Sequence, residues 1–440
     1  MVFHGRGKEM ISTRLSAVLI LLVVLWGCPG AAQANQDQEP VLDLDQLTQE
    51  AVRNNPEIQA ARNKWEAMRE KPAQAGALDD PMLSLGIVNL PTSLNVRSED
   101  MTMKEIGISQ KLPFPGKRAL MTEMATKEAQ AAHEGVAEKT LRVVRDVKGA
   151  FQDFSHVHRS LEVAQKNKEV LESLVKIVES RYSLGQAAQT DLLKAQVEVS
   201  KMTDEIIMLE ERRKAVEARL NALLARPAGT ALGRPTDPML RHLRLSVDEL
   251  RQLALDHNPT LKSMRRMVEA KATAQELAKA DYYPDFTLRF AYGQRDNGED
   301  VERRDMLTGM VEINLPIWRE AKLERKQAET KADTASAEAQ WQAMKNEIFY
   351  MIAETQAMLS RSERQIELYQ GGIIPQARLQ VDSNLRTYAG GRAEFMALLD
   401  SQMSLYKFEL DYHQALTEYQ KNMANLEALV GKPLNAGENK

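Results

Sequence analysis

The sequence predicts a mostly α-helical protein with a small β portion, built as two copies of one plan. Three observations carry this. Motifs of the first half return in order some 203 to 206 residues later. Helical apolar spacing then runs for very long stretches in each half. Between them, each half carries two alternating strands of about ten residues, the length of a tilted membrane strand.

The repeat is legible residue by residue. Leu42–Ile58 (LDLDQLTQEAVRNNPEI) matches Leu245–Leu261 (LSVDELRQLALDHNPTL), with Asn55-Pro56 on Asn258-Pro259. The same shift of 203 places Pro81 on Pro284 and Leu112-Pro113 on Leu315-Pro316. Later the shift is 206: Tyr182 and Gly185 meet Tyr388 and Gly391, and LNALLARP (Leu220–Pro227) meets LEALVGKP (Leu426–Pro433). The layout is a leader over 1–34, one repeat over 41–227, a linker over 228–244, a second repeat over 245–434 and a tail over 435–440.

The leader reads as a secretory signal. Lys8 and Arg14 precede the apolar run Leu15–Trp26, and small residues follow. Met10 is an alternative start. Two processing routes are open: cleavage after Ala32-Gln33-Ala34, or use of Leu25-Trp26-Gly27-Cys28 as a lipobox with lipid on Cys28. Cys28 is the one cysteine of the chain, which excludes a disulfide framework. No later stretch reaches the ~20 apolar residues of a membrane helix, so entry into a membrane would have to be through strands. The formal net charge of −4 over 440 residues offers no basic face for nucleic acid.

Within each repeat the first helix is expected over 44–76 or 247–279, with Asp45 or Asp248 as cap or first-turn acid. Asn-Pro falls inside both, where Pro either kinks the helix or starts a new one. Strands are expected over 82–90 and 102–112, then over 285–294 and 307–315. In the second strand Ile106, Ile108 and Leu112 oppose Glu105, Gly107, Ser109 and Lys111. In the third, Phe286, Leu288, Phe290 and Tyr292 oppose Thr287, Arg289 and Gly293. Alternation of this kind suits apolar-out, polar-in barrel strands, or a strand pair half-buried on a helix. Long helices are expected over 117–183 and 319–389, each ~100 Å, with a bend at Gly371-Gly372 and Pro375. Glycine turns at 183–188 and 389–394 lead into return helices over 190–226 and 395–432. A return helix and a first helix laid end to end span about the length of the long one, as a tube wall of constant height requires. Four strands cannot close a barrel, and an open edge is not tolerated in lipid. Cyclic copies would supply eight strands as a dimer or twelve as a trimer.

These residues resemble the TolC-type outer-membrane efflux proteins. The paired Asn-Pro segments carry the likeness, with GISQKLPFPGK and VEINLPIW at the strand ends and RYSLGQAAQTDLLKAQ and TYAGGRAEFMALLDSQ at the helical turns. The resemblance implies a homotrimer with a twelve-stranded β-barrel in outer-membrane lipid, continuous with a twelve-helix periplasmic α-barrel. It implies a periplasmic adaptor (membrane fusion protein) and an inner-membrane efflux pump as partners. The polar loop after Leu90 and the FPGK motif look most like the heavy-metal and cation branch. A periplasmic adaptor or coiled-coil scaffold is the alternative, against which the duplication and the four strands argue.

By position after the tip glycines, the resemblance places Asp191 and Asp400 among pore-ring acids and Tyr388 at the gate; Arg392, assigned to the gate with them, stands one residue before the family's gate arginine. An acid near a helix start is also what the helix dipole favours. Leu184, Gly185, Gln186, Gly390 and Gly391 would contact the adaptor, or simply form tight turns. Pro113, Pro115 and Pro316 mark the barrel-to-helix junction. His156 and His158, two apart on a helix, point about 200° apart and cannot share an ion. Met82, Met101, Met103, Met306 and Met310 near the strands could suit soft Cu(I), or ordinary apolar packing. With no nucleophile–base set, phosphate loop or Cys/His metal spacing, the sequence points to no enzyme, no cofactor and no resident metal.

Overall fold

The structure is a computed structural model and describes residues 41–236, 240, 242–298 and 301–434. The leader with Cys28 and the tail 435–440 lie outside the described residues.

The chain opens with a short strand, β1 (Val41–Leu42). Three helices follow, α1 (Leu44–Asn54), α2 (Pro56–Arg69) and α3 (Lys71–Gly76). The Asn-Pro step therefore starts a new helix. Asn55 is extended and its side-chain oxygen accepts the Glu57 N–H at 2.9 Å. Pro56 takes the first helical position, where its missing N–H goes unneeded. The expected cap at Asp45 shifts back to Asp43, whose carboxylate accepts the Asp45 N–H. Asp45 remains as a first-turn acid.

A hairpin of β2 (Met82–Val88) and β3 (Met103–Leu112) comes next. Then α4 (Lys117–Ser183) runs unbroken for 67 residues, ~100 Å. The chain returns through α5 (Gln189–Leu223) to β4 (Arg234–Pro235), which pairs in parallel with β1.

The second copy repeats this order with α6 (Val247–His257), α7 (Pro259–Ala280), β5 (Phe286–Gln294) and β6 (Met306–Ile313). Ser246, not Asp248, caps α6, in a capping box with Glu249. The long helix here is not continuous. A π turn at Arg319–Leu323 leads into α8 (Glu324–Leu368), and a second at Tyr369–Ile373 leads into α9 (Ile374–Ala389). The second π turn holds Gly371 and Gly372 and is followed by Pro375, which has no N–H for the ordinary ladder. Ile374 instead donates five residues back, to the Tyr369 carbonyl. Finally α10 (Phe395–Val430) returns to the C-terminal end.

Packing repeats with the sequence. Leu47, Ala51, Ile58, Leu220 and Leu224 share one core cluster, and their counterparts Leu250, Ala254, Leu261, Leu426 and Val430 share another. Each buried Leu or Ile contributes roughly 1.5–3 kcal/mol of transfer free energy. A third cluster at the glycine-turn end joins Leu171 and Val178 of α4 to Ala195 and Met202 of α5 and to Phe395 and Leu398 of α10. Along α4, Lys139 and Arg142 pair with Glu57 of α2, Lys127 with Glu269 of α7, and Lys148 with Glu427 of α10.

The four longer strands form one antiparallel sheet in the order β2-β3-β5-β6. Among the described residues no helix is long and apolar enough to cross a membrane.

Candidate functional site: sheet faces, junction and helical tip

The register of the sheet puts Leu83, Leu85, Ile106, Ile108, Phe290, Tyr292, Leu307 and Val311 on one face. All of these are exposed, a continuous apolar surface of the kind that marks contact with lipid or protein. Glu105, Ser109, Thr287, Arg289 and Glu312 occupy the other face, and Arg289 bonds Glu105 across the strands at 2.6 Å. Met82, Met103, Met306 and Met310 share this polar face. The strand edges of β2 and β6 carry no partner among the described residues.

Where strand becomes helix, Pro113 and Pro115 terminate the β3 ladder, and Gly116 turns the chain with a φ of 95°. The lock at this point was not read from the sequence. Lys117, only 4% exposed, donates to Asp285 at 2.8 Å and to the Tyr283 carbonyl at 3.1 Å, with Asp281 3.5 Å away. The Phe114 N–H donates to Asp285 at 2.9 Å, and the Phe114 ring stacks on Tyr283 with centroids 4.6 Å apart. Burial alone would raise the Asp285 carboxyl, but the Lys117 and Phe114 hydrogen bonds and the Lys117 charge outweigh it and hold it below the usual range. The lysine of FPGK, together with the aspartates on either side of Pro284, was the signal available. Pro316, by contrast, borders an open junction: Leu315, Ile317 and Trp318 are all exposed, Trp318 at 70%.

At the far end, Gly185 and Gly391 take φ of 68° and 71° and close matching turns. Gln186 N–H donates to the Arg181 carbonyl at 2.8 Å, and Arg392 N–H to the Thr387 carbonyl at 3.0 Å. Leu184, Gly185, Gln186, Gly390 and Gly391 are all exposed at the tip. The two tip tyrosines differ: Tyr182 is 43% exposed, whereas its counterpart Tyr388 is 5% exposed and packs on Phe395. Arg181 crosses from the first turn to the second. Its guanidinium lies 4.8 Å from the centre of the Tyr388 ring and donates to the Tyr388 and Ala389 carbonyls. Sequence reasoning missed Arg181, because its counterpart in the other copy is Thr387. Burial raises the Tyr388 hydroxyl above its ordinary pKa, with Arg181 opposing and Asp191 reinforcing. That hydroxyl has no hydrogen-bond partner among the described residues. So Asp191, half-buried in the first turn of α5, belongs to the same neighbourhood as Tyr388, while Arg392 and Asp400 are exposed.

The two histidines have separate surroundings. His158 packs edge-on against Phe154, and His156 is half-buried among Arg212, His413, Asp153 and Lys421. Sequence reasoning also missed a second use of the Asn-Pro asparagines. Each donates its side-chain amide to the end of a return helix: Asn55 to the Leu223 carbonyl at 3.0 Å, Asn258 to the Leu429 carbonyl at 2.8 Å.

Comparison with known proteins gives a consistent result. The outer membrane efflux protein family matches residues 47–226 and 250–432, one segment in each repeat. Nodulation protein T of Rhizobium leguminosarum bv. trifolii is 22% identical, covering 89% of this chain and 86% of that one. The cobalt-zinc-cadmium resistance protein CzcC of Cupriavidus metallidurans is 20% identical, covering 89% and 90%. Among solved structures, the outer membrane protein VceC of Vibrio cholerae superposes with a TM-score of 0.75 at 19% identity, over 88% of this chain and 96% of that one. CusC superposes equally well, with a TM-score of 0.75 at 16% identity, over 88% and 92%. With the fold and both sequence halves in agreement, this chain belongs to the outer membrane efflux protein family.

Proposed function

We propose that the protein is the passive exit duct of a tripartite efflux system, working as a homotrimer. Three copies would supply twelve strands and close the barrel in the outer membrane. Their long helices would continue it as a twelve-helix tunnel into the periplasm. An adaptor would dock on the tip through Leu184, Gly185, Gln186, Gly390 and Gly391, and an inner-membrane pump would supply the energy.

The observation that carries this reading is the sheet. It has one exposed apolar face, one charged face and two edges unpaired among the described residues. In lipid such a sheet is tolerated only as part of a closed ring. Conductance across a planar lipid bilayer tests it. Purified protein should give discrete channels; a protein that stays soluble and forms none belongs to the adaptor or scaffold alternative.

We assign Asp191, Tyr388, Arg392 and Asp400 to the periplasmic gate. In a trimer each would recur three times about the axis, so the acids would attract cations and repel their own copies. As for cargo, relatives named for nodulation, for pyoverdine export and for cobalt-zinc-cadmium resistance match at 20–22% identity. Heavy-metal export is one branch of that range, and a deletion strain challenged with metals, drugs and dyes selects among them.

A further inference from the structure

We propose that the two open sheet edges meet between copies in one specific register, and that Arg319 of one copy clamps the Asp79–Asp80 pair of the next. This rests on the trimeric duct reading and specifies its seam.

The internal repeat supplies the register. Within the chain, β3 of the first copy pairs with β5 of the second, placing Ile108 opposite Phe290, Gln110 opposite Leu288 and Leu112 opposite Phe286. A shift of 203 carries β3 onto β6 and β5 onto β2. The same pairing between copies then sets Val311 opposite Ile87, Ile313 opposite Leu85 and Leu315 opposite Leu83 of the next copy. Two independent checks agree. Val311, Ile313, Ile87, Leu85 and Leu83 lie on the exposed apolar face, and Leu315 just past β6 is exposed too, whereas Glu312 meets Gly86 and Met310 meets Val88 on the other face. A slip of one residue would oppose apolar to polar positions along the whole seam. The slant agrees as well. Crossing one copy from Leu85 through Ile106, Tyr292 and Leu307 and over the seam advances the register by about six residues. Over three copies and twelve strands this gives a strand tilt of about 45°, the value closed barrels adopt.

The clamp follows from the sealed junction. There a cation just after β3, Lys117, is held by acids flanking Pro284, just before β5. Just after β6 stands Arg319, the first residue of its helix, and just before β2 stand Asp79 and Asp80. All three are exposed, and among the described residues none of their side chains has an ion-pair partner. Opposite charges thus wait at the two edges that the register brings together.

Cysteine pairs in the full chain test the register. Leu85 and Ile313 lie on opposite edges of one sheet, at least three strand spacings or about 14 Å apart, too far for a disulfide within one chain. Leu85→Cys with Ile313→Cys, and separately Gly86→Cys with Glu312→Cys, cover both kinds of antiparallel pair. Oxidation should convert at least one of them to covalent trimer on a non-reducing gel, while the slipped pair Leu83→Cys with Ile313→Cys should stay monomeric. Bilayer conductance is recorded on the same preparations. Channels without the expected cross-link, or with only the slipped one, overturn the register alone; no channel and no oligomer overturn the duct reading beneath it. For the clamp, Arg319→Glu should lower the detergent-resistant trimer about tenfold, and adding Asp79→Arg and Asp80→Arg should restore it. An unchanged trimer in the single variant, or no rescue, overturns the clamp.

Discussion

Asp285→Ala removes the 2.8 Å partner of a lysine that is 4% exposed. Breaking a buried pair from one side costs about 3–5 kcal/mol, because the remaining charge is stranded. Lys117 would keep the Tyr283 carbonyl and the longer approach to Asp281, so the low end, about 3 kcal/mol, applies. Lys117→Met works from the other side. Asp285 is more open to water and keeps the Phe114 N–H, so about 1.5–2 kcal/mol is expected, the low end for a hydrogen bond to a charged group. The asymmetry between the two variants is the prediction.

Hydrogen exchange on the intact protein reads it out at Leu120, whose N–H bonds the Gly116 carbonyl at 3.0 Å at the start of α4. Since 1.4 kcal/mol is a factor of ten, Asp285→Ala should speed exchange about a hundredfold and Lys117→Met about tenfold. Equal effects, or a larger one for Lys117→Met, would refute the buried-charge argument. The pH sign is set by the depressed carboxyl. Its stabilisation is fully present above the unfolded carboxylate range and is lost as pH falls through the lower folded value, below about 4.

Four further outcomes are expected. Asn55→Ala and Asn258→Ala should each cost about 1–2 kcal/mol as lost caps, and their effects on the urea midpoint should add, since they serve separate clusters. Gly431→Ala should destabilise strongly, because φ is 90° and a Cβ would sit 2.6 Å from the His257 carbonyl oxygen; its counterpart Ala225 already carries a side chain at φ 57°, so Ala225→Gly should be near neutral by thermal melting. Burial, with nearby Arg212 for His156 and Arg159 for His413, lowers both histidine pKa values below the ordinary 6.5, so the unfolded chain binds protons first and stability should fall as pH drops below about 6.5; replacing both with Gln should flatten that dependence in melts from pH 7 to 5. Asp191→Ala or Tyr388→Phe should raise resting conductance, with Tyr388→Phe leaving stability intact because its hydroxyl has no partner among the described residues; unchanged conductance in both removes them from the gate.

Element order was legible because duplication doubles every signal. The weak strand at Met82–Val88 gains credence from the cleaner Phe286–Gln294, and the helix at Lys117–Ser183 is uninterrupted because no Pro or paired Gly falls within it. Pattern failed where a single atom decides. Asn-Pro read as kink or restart, and only the extended backbone and capping oxygen of Asn55 chose between them. The π turn at Tyr369–Ile373 was expected only as a bend, because periodicity does not register one extra residue in a ladder. The tip was harder still. Gly185 and Gly391 announce their turns, but nothing near Tyr388 in sequence names Arg181, 207 residues away.

The differences between the copies, more than their likeness, bear on how such a chain would work. At the junction the first copy is sealed against the second by Lys117, Asp285 and the Phe114–Tyr283 stack, whereas the equivalent end of the second copy is left with Trp318 exposed and Arg319 without an ion-pair partner among the described residues. At the tip the first copy lends Arg181 to the second, and Thr387 cannot return the favour. Both asymmetries have the same sense: a first-copy cation, Lys117 or Arg181, is satisfied by the second copy inside the chain, and the matching second-copy positions, Glu320 and Thr387, carry no cation to do the same. A chain of this kind folds its internal seam as part of its own core. On the trimeric reading proposed above, its remaining groups would suit a seam between finished copies, at the edge strands and at the tip. The strong, buried ion pair then belongs to the seam that never has to open. An exposed pair contributes only about 0–1 kcal/mol, so the edge seam proposed above would draw most of its stability from strand pairing and apolar packing, with Arg319 selecting the partner edge.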